Sequence, residues 1–466
     1  MSKYITIHIE DFVQIRKADI ELAPLTLFVG DNNSGKSYLA SLIWGVLNED
    51  FHFTNTDVAI DDTEIQFDEL LCWLREFLKS NTQTPSYKKI TEDIHRSIVT
   101  LINKILDSKK KKIIHNIFGS DIDIGKITFD LPFKEGLSFA LKFEDGLMNS
   151  LTDIHKRYIT YSVAQKEKGA SFTFLLTISD NIEKILLLYL CRAYFSVYVY
   201  GEISFFPASR TGFLLTYRSL IDESLDWRFN SREKNNRNYH LTSPQVSFLR
   251  RIAGLEDRFV RIKKSGIIIN SIIDFIENKM IHGKISLSKT PLPDILYCPK
   301  NDVNIPMYLS SGVVTEITPM LACLKYNRIG NSCIIEEPEM SLHPELQWRM
   351  AQVLIRLAKT LSFVVTSTHS DIIIQHINNM IKLACRSDGK KLADEHGYEE
   401  TDIIAPDKVR MYQFDVSPND LSTEITALDF NNNGFIVPTF GKTLRKLRND
   451  VYDFQHEIDD TETKED

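Results

Sequence analysis

A short segment at residues 30–37, GDNNSGKS, has the residue types and spacing of a phosphate-binding loop. Gly30 and Gly35 allow the backbone to curl so that successive N–H groups face phosphate oxygens. Lys36 can reach the β- and γ-phosphates of a nucleotide, and the Ser37 hydroxyl can ligate magnesium. The pattern therefore predicts binding of ATP with Mg2+. The candidate binding residues in this phosphate loop are Gly30, Asn32, Asn33, Ser34, Gly35, Lys36 and Ser37.

Carboxylates follow a second apolar segment, Cys333–Ile335, which reads as a buried strand. The chain continues as Glu336-Glu337-Pro338-Glu339. A carboxylate at the end of a strand can hold magnesium, and the next one can orient or deprotonate an attacking water. In the presence of Lys36, we therefore predict Glu336 as a metal ligand and Glu337 as a general base, whereas an acidic loop would be the ordinary interpretation of this segment alone.

Two further segments have residue types that suit an anion. Leu309–Gly312, with the sequence LSSG, opens a helical pattern, and small hydroxyl residues and glycine at a helix N-terminus can bind phosphate. An ordinary helix cap is the alternative. Phe363–Thr366 reads as a strand and is followed by Ser367–Ser370, which contains His369. This position favours a ligand contact for the histidine, and a purely structural role is its alternative.

The elements that must position these residues alternate along the chain. Leu25–Val29 reads as a short strand before the phosphate loop, and a helical pattern begins at Leu39. Residues 313–382 alternate between helix and strand, with strands at Ser332–Ile335 and Ser362–Thr366. Such alternation favours a mainly parallel sheet covered by helices, so we predict an α/β fold.

Composition excludes several classes of protein. Apolar residues are 43% and charged residues 25% of the 466 residues, which is typical of a globular protein and not of a disordered one. The formal net charge of −8 gives no global attraction to nucleic acid or anionic membranes. None of the six cysteines forms a CxxC pair, so the sequence contains no zinc ribbon or thioredoxin motif. Without a secretory signal or a membrane-spanning run, we expect a cytoplasmic protein with no membrane partner.

Taken in order along the chain, the motifs resemble those of one family. GDNNSGKS, LSSG, CIIEEPE, SLHPE and TSTHS are similar to the motifs of ABC-type ATPases of the overcoming-lysogenization-defect-like group (AAA15). The resemblance implies an ABC-type P-loop ATPase head made of residues 1–48 and 201–380. Residues 49–200 would then be an inserted arm or recognition domain of mixed helices and strands, and residues 381–466 a C-terminal extension.

The resemblance also implies roles for single residues. Glu336 takes the magnesium-side position, Glu337 the position of the catalytic base, and His369 that of the switch that contacts the γ-phosphate. The segment PASR resembles a family element and places Arg210 near the nucleotide, whereas a surface ion pair is the alternative for this arginine. No glutamine can be assigned to the Q-loop of the class. The residues that would contact ATP held by a second subunit are Ser310, Ser311 and Gly312, which implies a homodimer or a higher homo-oligomer.

The length of the insert distinguishes among the classes of ATPase that share these motifs. Lys36 and Ser310 are 274 positions apart, without the sustained heptads that repair and chromosome-structuring relatives need for their coiled coils. A transporter head would be much shorter. The remaining relatives are ATPase subunits of anti-phage systems such as Gabija, Septu and PARIS. Only 97 residues follow His369, and they contain no Toprim-like arrangement of carboxylates. We therefore predict an ATP hydrolase without nuclease activity that controls a separate effector, a nuclease or Toprim-like protein.

Two other functions stay open at this point. The chain could be a RecF-like DNA-repair ATPase that acts directly on DNA, or a nucleotide-locked assembly scaffold with negligible turnover. A DNA ligand would need a basic surface, and a phage-derived trigger would need a recognition surface. The candidate basic residues are Arg250, Arg251, Arg258, Arg261, Lys263 and Lys264.

Overall fold

The computed structural model describes most of the chain. The described residues are 3–48, 68–79, 86–145, 156–165, 168–177, 182–219, 241–255, 266–289, 293–299, 303–431, 434–438 and 445–454.

The described residues form the following strands and helices. The strands are β1 (Thr6–Phe12), β2 (Ile15–Glu21), β3 (Leu25–Gly30), β4 (Ser86–Lys89), β5 (Ile124–Asp130), β6 (Ser138–Asp145), β7 (Lys156–Gln165), β8 (Lys168–Thr177), β9 (Ile203–Phe206), β10 (Gly283–Leu287), β11 (Ile295–Pro299), β12 (Ile305–Pro306), β13 (Ser332–Glu336), β14 (Val364–Ser367), β15 (Val409–Val416) and β16 (Thr423–Leu428). The helices are α1 (Lys36–Asn48), α2 (Asp68–Lys79), α3 (Glu92–Phe118), α4 (Ile182–Ser196), α5 (210–219), α6 (Ser243–Ala253), α7 (Gly266–Lys279), α8 (Gly312–Lys325), α9 (Pro344–Thr360), α10 (Asp371–Cys385), α11 (Gly389–Glu395) and α12 (445–454).

A nine-stranded sheet forms the centre of the fold, in the order β5-β1-β2-β16-β15-β3-β14-β13-β9. The five neighbours β15, β3, β14, β13 and β9 pair in parallel. On the other side of β15, the sheet continues with antiparallel pairs and one short parallel pair between β16 and β2. The prediction of an α/β fold with a mainly parallel sheet is confirmed.

Apolar side chains of β3 explain why this strand lies in the middle of the sheet. All six of its residues are buried. Leu25, Leu27 and Val29 pack into a core with α6 to α10, whereas Phe28 packs into a second core with α1, α3 and α4. Because successive side chains of a strand point to opposite faces, a continuous apolar run is what a strand covered on both faces needs.

The insert is not separate from the sheet. β4, β6, β7 and β8 form their own antiparallel four-stranded sheet, but β5 pairs with β1 at the edge of the nine-stranded sheet. In addition, α3 lies close against α1, since a Cβ at Gly45 would stand 2.0 Å from the Ile117 side chain. Residues 124–130, within the predicted arm at residues 49–200, thus form an edge strand of the nine-stranded sheet.

The predicted C-terminal extension also contributes strands to the nine-stranded sheet. β15 pairs with the whole length of β3, and β16 pairs with β15. The boundary predicted at residue 380 therefore does not coincide with an edge of the sheet. Among the described residues, no helix has both the length and the apolar character needed to span a membrane.

Candidate functional site

The predicted motifs meet at one edge of the nine-stranded sheet. β3 ends at Gly30, β13 at Glu336, β14 at Ser367 and β9 at Phe206. These four strands are parallel neighbours, so their carboxyl ends lie side by side. Ligands of open α/β sheets bind at this edge. The fold thus brings together residues that are more than 300 positions apart in sequence.

The phosphate loop requires glycine at its first position. Gly30 has a φ of +122°, and a Cβ there would lie 2.2 Å from the carbonyl oxygen of Phe414 on β15. The turn continues through Asn33, whose φ of +55° is in the left-handed region that asparagine tolerates better than most residues. Asn32 and Asn33 are exposed, whereas Ser34 and Gly35 are buried.

The Lys36 side chain lies inside this loop. It is only 6% exposed, and its ammonium donates hydrogen bonds to the Gly30 carbonyl at 3.2 Å, to Ser34 Oγ at 3.1 Å and to the Asp31 carbonyl. Burial lowers the pKa of Lys36 to about 8, although the nearby Glu337 and Asp31 carboxylates oppose this shift. The ammonium is therefore charged at neutral pH and close to its titration range.

Ser37 and Glu336 contact each other between the phosphate loop and the end of β13. Burial raises the pKa of the Glu336 carboxyl, and a hydrogen bond from the Ser37 side chain partly offsets that effect. Glu336 Oε2 accepts a hydrogen bond from the Ala208 N–H at 3.1 Å. Glu336 Oε1 is buried and has no partner of good hydrogen-bond geometry among the described residues. A buried oxygen of this kind beside a hydroxyl suits a hard cation.

The charges around this point also favour a cation. Four carboxylates interact electrostatically with two basic side chains. These groups are Glu316, Glu336, Glu337 and Glu339, with Lys36 and Arg210. Within the described part of the chain, no cluster of three or more His, Cys, Asp or Glu could hold a metal alone. The site therefore fits Mg2+, which proteins commonly hold with one or two ligands together with substrate phosphates.

Glu337 has a strained backbone at the end of β13. Its φ is +43°, which is uncommon for a residue other than glycine. The Glu337 N–H donates to the Ser367 carbonyl at 3.0 Å, so the strained residue is held against β14. The side chain is half-buried and interacts electrostatically with Lys36 and His369. Strain of this kind is concentrated at functional sites.

His369 lies in the same group of charges. Burial lowers the pKa of its imidazole, and the Lys36 ammonium lowers it further. The His369 backbone N–H donates to Glu339 Oε1 at 2.5 Å, which ties the segment after β14 to the acidic loop after β13. The imidazole is therefore neutral at pH 7 and can donate or accept a hydrogen bond.

The LSSG segment is largely exposed, and only its Ser310 is half-buried. Ser311 caps α8, because its Oγ accepts a hydrogen bond from the Val314 N–H at 3.5 Å. Ser310 Oγ donates to the Pro306 carbonyl at 3.3 Å, and Gly312 is exposed. Among the described residues, no hydrogen bond or ion pair joins this segment to residues 30–37.

Arg210 is not a surface residue, so the alternative interpretation of an exposed ion pair is wrong. Its side chain is buried, and the guanidinium donates to the carbonyl of Glu336 at 2.6 Å and to that of Glu337 at 2.9 Å. It also forms an ion pair with Glu316 on α8. The hydrogen bonds and the ion pair of Arg210 thus join it to the acidic loop after β13, to α8 and to the Pro207 carbonyl.

Three residues of the site were not assigned a role from the sequence. Glu339 accepts a hydrogen bond from the His369 N–H. Glu316 forms an ion pair with Arg210. The Gln14 amide donates a hydrogen bond to the Asn33 carbonyl in the phosphate loop. Glu339 stands in the EEPE motif, which was a usable signal. Gln14 and Glu316 carry no local signal, because their contacts depend on strand pairing and helix packing.

The candidate basic surface is only partly described. Arg250 is exposed on α6, whereas Arg251 forms an ion pair with Glu202 at 2.9 Å and donates to the Arg328 carbonyl at 2.7 Å. Arg251 therefore has a structural role. The other candidates lie outside the described residues, and they are Arg258, Arg261, Lys263 and Lys264.

Comparisons with known proteins identify the domain type. The family described as "AAA ATPase domain" matches residues 3–198 and 216–374, which is more than half of the chain. No curated protein sequence matches the chain at a significant level.

Similar solved structures include three heads of Smc proteins. The SmcHead bound to the C-winged helix domain of ScpA is 11% identical, covers 92% of this chain and 98% of that chain, and has a TM-score of 0.37. An Smc head with an extended coiled coil, bound to the C-terminal domain of ScpA derived from Pyrococcus furiosus, is 12% identical, with coverages of 96% and 99% and a TM-score of 0.36. The SMC head domain from Thermotoga maritima is 12% identical, with coverages of 92% and 100% and a TM-score of 0.32.

Proposed function

The chain belongs to the AAA ATPase domain family, and from that premise we propose that it is the ATP-hydrolysing subunit of an anti-phage defence system, which self-associates and controls a separate effector protein. The observation that carries the ATPase part is the meeting of Lys36, Glu336, Glu337 and His369 at one sheet edge. The motif order described above supports the narrower assignment to anti-phage ATPases of the overcoming-lysogenization-defect-like group.

Each residue of the site has a distinct chemical role in this proposal. The backbone N–H groups of the phosphate loop and the positive N-terminal end of α1 bind phosphate oxygens. The Lys36 ammonium neutralises charge on the β- and γ-phosphates. Glu337 accepts a proton from the attacking water, and the neutral imidazole of His369 hydrogen-bonds the γ-phosphate. Ser37 and Glu336 would hold Mg2+, which supplies charge neutralisation at the phosphates.

Self-association follows from the position of the LSSG segment. Ser311 and Gly312 are exposed, and no hydrogen bond among the described residues joins the segment to the phosphate loop of the same chain, so the segment is available to ATP bound by another subunit. We expect a C2 dimer, or a higher oligomer built from such pairs, because an isologous contact gives two equivalent sites. Each ATP would then lie between Lys36 of one chain and Ser311 of the other.

The effector remains a separate chain in this proposal. The carboxylates placed at the sheet edge are all engaged at the ATP site, and the regions left for recognition are the insert and the C-terminal segment. α12 exposes three large apolar side chains, Leu447, Val451 and Phe454, each of them more than half exposed. Grouped apolar side chains at a surface are a common feature of protein interfaces, which supports this helix as an effector contact.

We expect toxic output in cells only when the chain is produced together with its effector, and Lys36→Ala should abolish that output. Removing the residues beyond Thr443 should leave ATP hydrolysis within about twofold of the parent, because α12 lies outside the ATP site, yet should also abolish output. Cell growth and phosphate release measured on the same variants test this. Metal-dependent cleavage of DNA or RNA by the isolated chain, lost on a substitution outside the ATP site, would contradict it.

The pKa of Lys36 predicts how ATP affinity depends on pH. Below about pH 8 the ammonium is charged and attracts the phosphates, whereas above that pH the free protein loses this charge. Since ATP binds the protonated form better, the Kd for ATP should rise by up to about tenfold per pH unit above pH 8. Calorimetry with EDTA between pH 7 and 9.5 isolates this effect from magnesium binding. Lys36→Ala should bind ATP weakly and should not show the rise in Kd above pH 8. A parental Kd that is constant between pH 7 and 9.5 would contradict the assignment of Lys36 as the phosphate-binding ammonium.

A further inference from the structure

Arg210 joins the two parts of the protein that a composite ATP site has to coordinate. One part is the loop that contains Glu336 and Glu337. Nη1 of Arg210 donates to the Glu336 carbonyl at 2.6 Å, and Nη2 donates to the Glu337 carbonyl at 2.9 Å. The arginine therefore holds the peptide units on both sides of the strained residue, whose φ is +43°.

The other part is the helix that begins at the LSSG segment. Glu316 lies one turn into α8, four positions after Gly312, and is 3% exposed. Its carboxylate forms an ion pair with the Arg210 guanidinium and accepts a hydrogen bond from the Thr211 hydroxyl. Nε of Arg210 also donates to the Glu316 carbonyl at 3.4 Å. The first two residues of α5 thus both contact Glu316 near the start of α8.

The connection is rigid because its parts are short and buried. Arg210 follows β9 by four positions, and both its N–H and Nη1 donate to the Pro207 carbonyl at 3.1 Å. The neighbouring Ala208 N–H donates to Glu336 Oε2 at 3.1 Å. A planar guanidinium with several donors can hold carbonyls and a carboxylate at fixed angles, which a lysine ammonium cannot do.

We infer that Arg210 is a positioning residue that couples the LSSG end of α8 to the backbone of Glu337. When the LSSG segment contacts ATP on the partner subunit, a shift of α8 is transmitted through Glu316 and Arg210 to the Glu337 peptide. The catalytic base of one site then responds to occupancy of the other site. This inference rests on the proposed ATPase function, and it adds a regulatory link that the motifs alone do not contain.

Arg210→Lys should separate turnover from binding. The Kd for ATP should stay within about threefold of the parent, because the hydrogen bonds and the ion pair of Arg210 are to Glu316, to Pro207 and to the acidic loop after β13. The kcat should fall by about tenfold or more, since misplacing a catalytic group by about 1 Å can cost about a hundredfold. The Hill coefficient for ATP, which we expect to exceed one in the parent, should fall to about one. Arg218→Lys, on the same helix and in a surface ion pair with Asp294 at 2.7 Å, is the matched control and should behave like the parent.

A second variant keeps the test decisive if Arg210→Lys does not fold. Thr211→Val removes only the hydroxyl that holds Glu316, and it should lower the Hill coefficient while leaving the Kd and the thermal midpoint near those of the parent. An unchanged kcat and Hill coefficient in the variant that folds would overturn the inference. A weakened Kd with an unchanged kcat would also overturn it, because Arg210 would then act on the nucleotide. A parental chain that hydrolyses no ATP would instead count against the proposed function.

Discussion

Replacing Glu337 by glutamine should lower ATP turnover by about a hundredfold or more and leave the Kd for ATP within about threefold, since general base catalysis commonly contributes about 10²–10⁴-fold. The amide keeps the shape of the side chain but cannot accept the proton of the attacking water. The backbone contacts of Glu337 with Ser367 and Arg210 do not involve the carboxylate and should persist. Phosphate release and nucleotide binding, measured on the same preparation, give the two quantities.

A matched control separates this effect from a loss of charge in general. Glu395 is exposed on α11 and pairs only loosely with Lys391, at 3.7 Å. Glu395→Gln should therefore retain parental turnover. If Glu337→Gln hydrolyses ATP at the rate of the parent, Glu337 is not the base, and a neighbouring carboxylate such as Glu339 becomes the candidate.

Mixing two inactive variants should restore ATP hydrolysis. Lys36→Ala removes phosphate binding, and Ser311→Arg fills the exposed helix start that would meet the partner's ATP. In a mixed dimer, one composite site carries both lesions and the other carries neither. At equal amounts, half of the dimers are mixed and half of their sites are intact, so activity should return to at most about a quarter of the parental value.

The control for this experiment places both lesions in one chain. A mixture of Lys36→Ala with the Lys36→Ala, Ser311→Arg double variant contains no intact composite site and should stay inactive. If the mixture of single variants is no more active than its components, or if a strictly monomeric chain has full activity, the composite site is wrong.

The phosphate loop was predictable because its chemistry depends on local spacing. Gly30 needs a positive φ and the close approach of another strand. Two glycines at a fixed spacing within a few residues indicate such a turn directly in the sequence. The acidic loop after β13 was predictable for a similar reason, since an apolar run followed by carboxylates marks a strand that ends at a ligand-binding edge. Sequence thus predicts the α/β class and the placement of Lys36, Glu336 and Glu337 together.

The contacts of Arg210 could not be predicted from sequence. Its partners Glu316, Glu336 and Glu337 lie 106 to 127 positions away, and only the parallel pairing of β9 with β13 brings them within reach. An arginine in a short polar segment is more often exposed than buried. The burial of Arg210 in the structure is the observation that contradicts a surface ion pair.

The order of the strands in the sheet could not be predicted from the sequence either. The run at 409–414 predicts a strand, but nothing in it shows that β15 pairs with β3 beside the phosphate loop. The same holds for β5, which lies within the predicted insert yet extends the nine-stranded sheet. Strand pairing across hundreds of residues depends on the packing of both cores and not on local pattern, which is why boundaries drawn at motif positions did not follow the sheet.

Phosphate release from Mg2+-ATP by the purified chain, with Lys36→Ala prepared in parallel, tests whether the chain is an ATP hydrolase with a composite site. We expect release that rises with protein concentration more steeply than linearly at low concentration, because two chains form each site, and that is lost in Lys36→Ala. Equal release by both preparations would mean that the activity belongs to a contaminant. Tight ATP binding by the parent without any release would contradict the account and favour a nucleotide-locked scaffold.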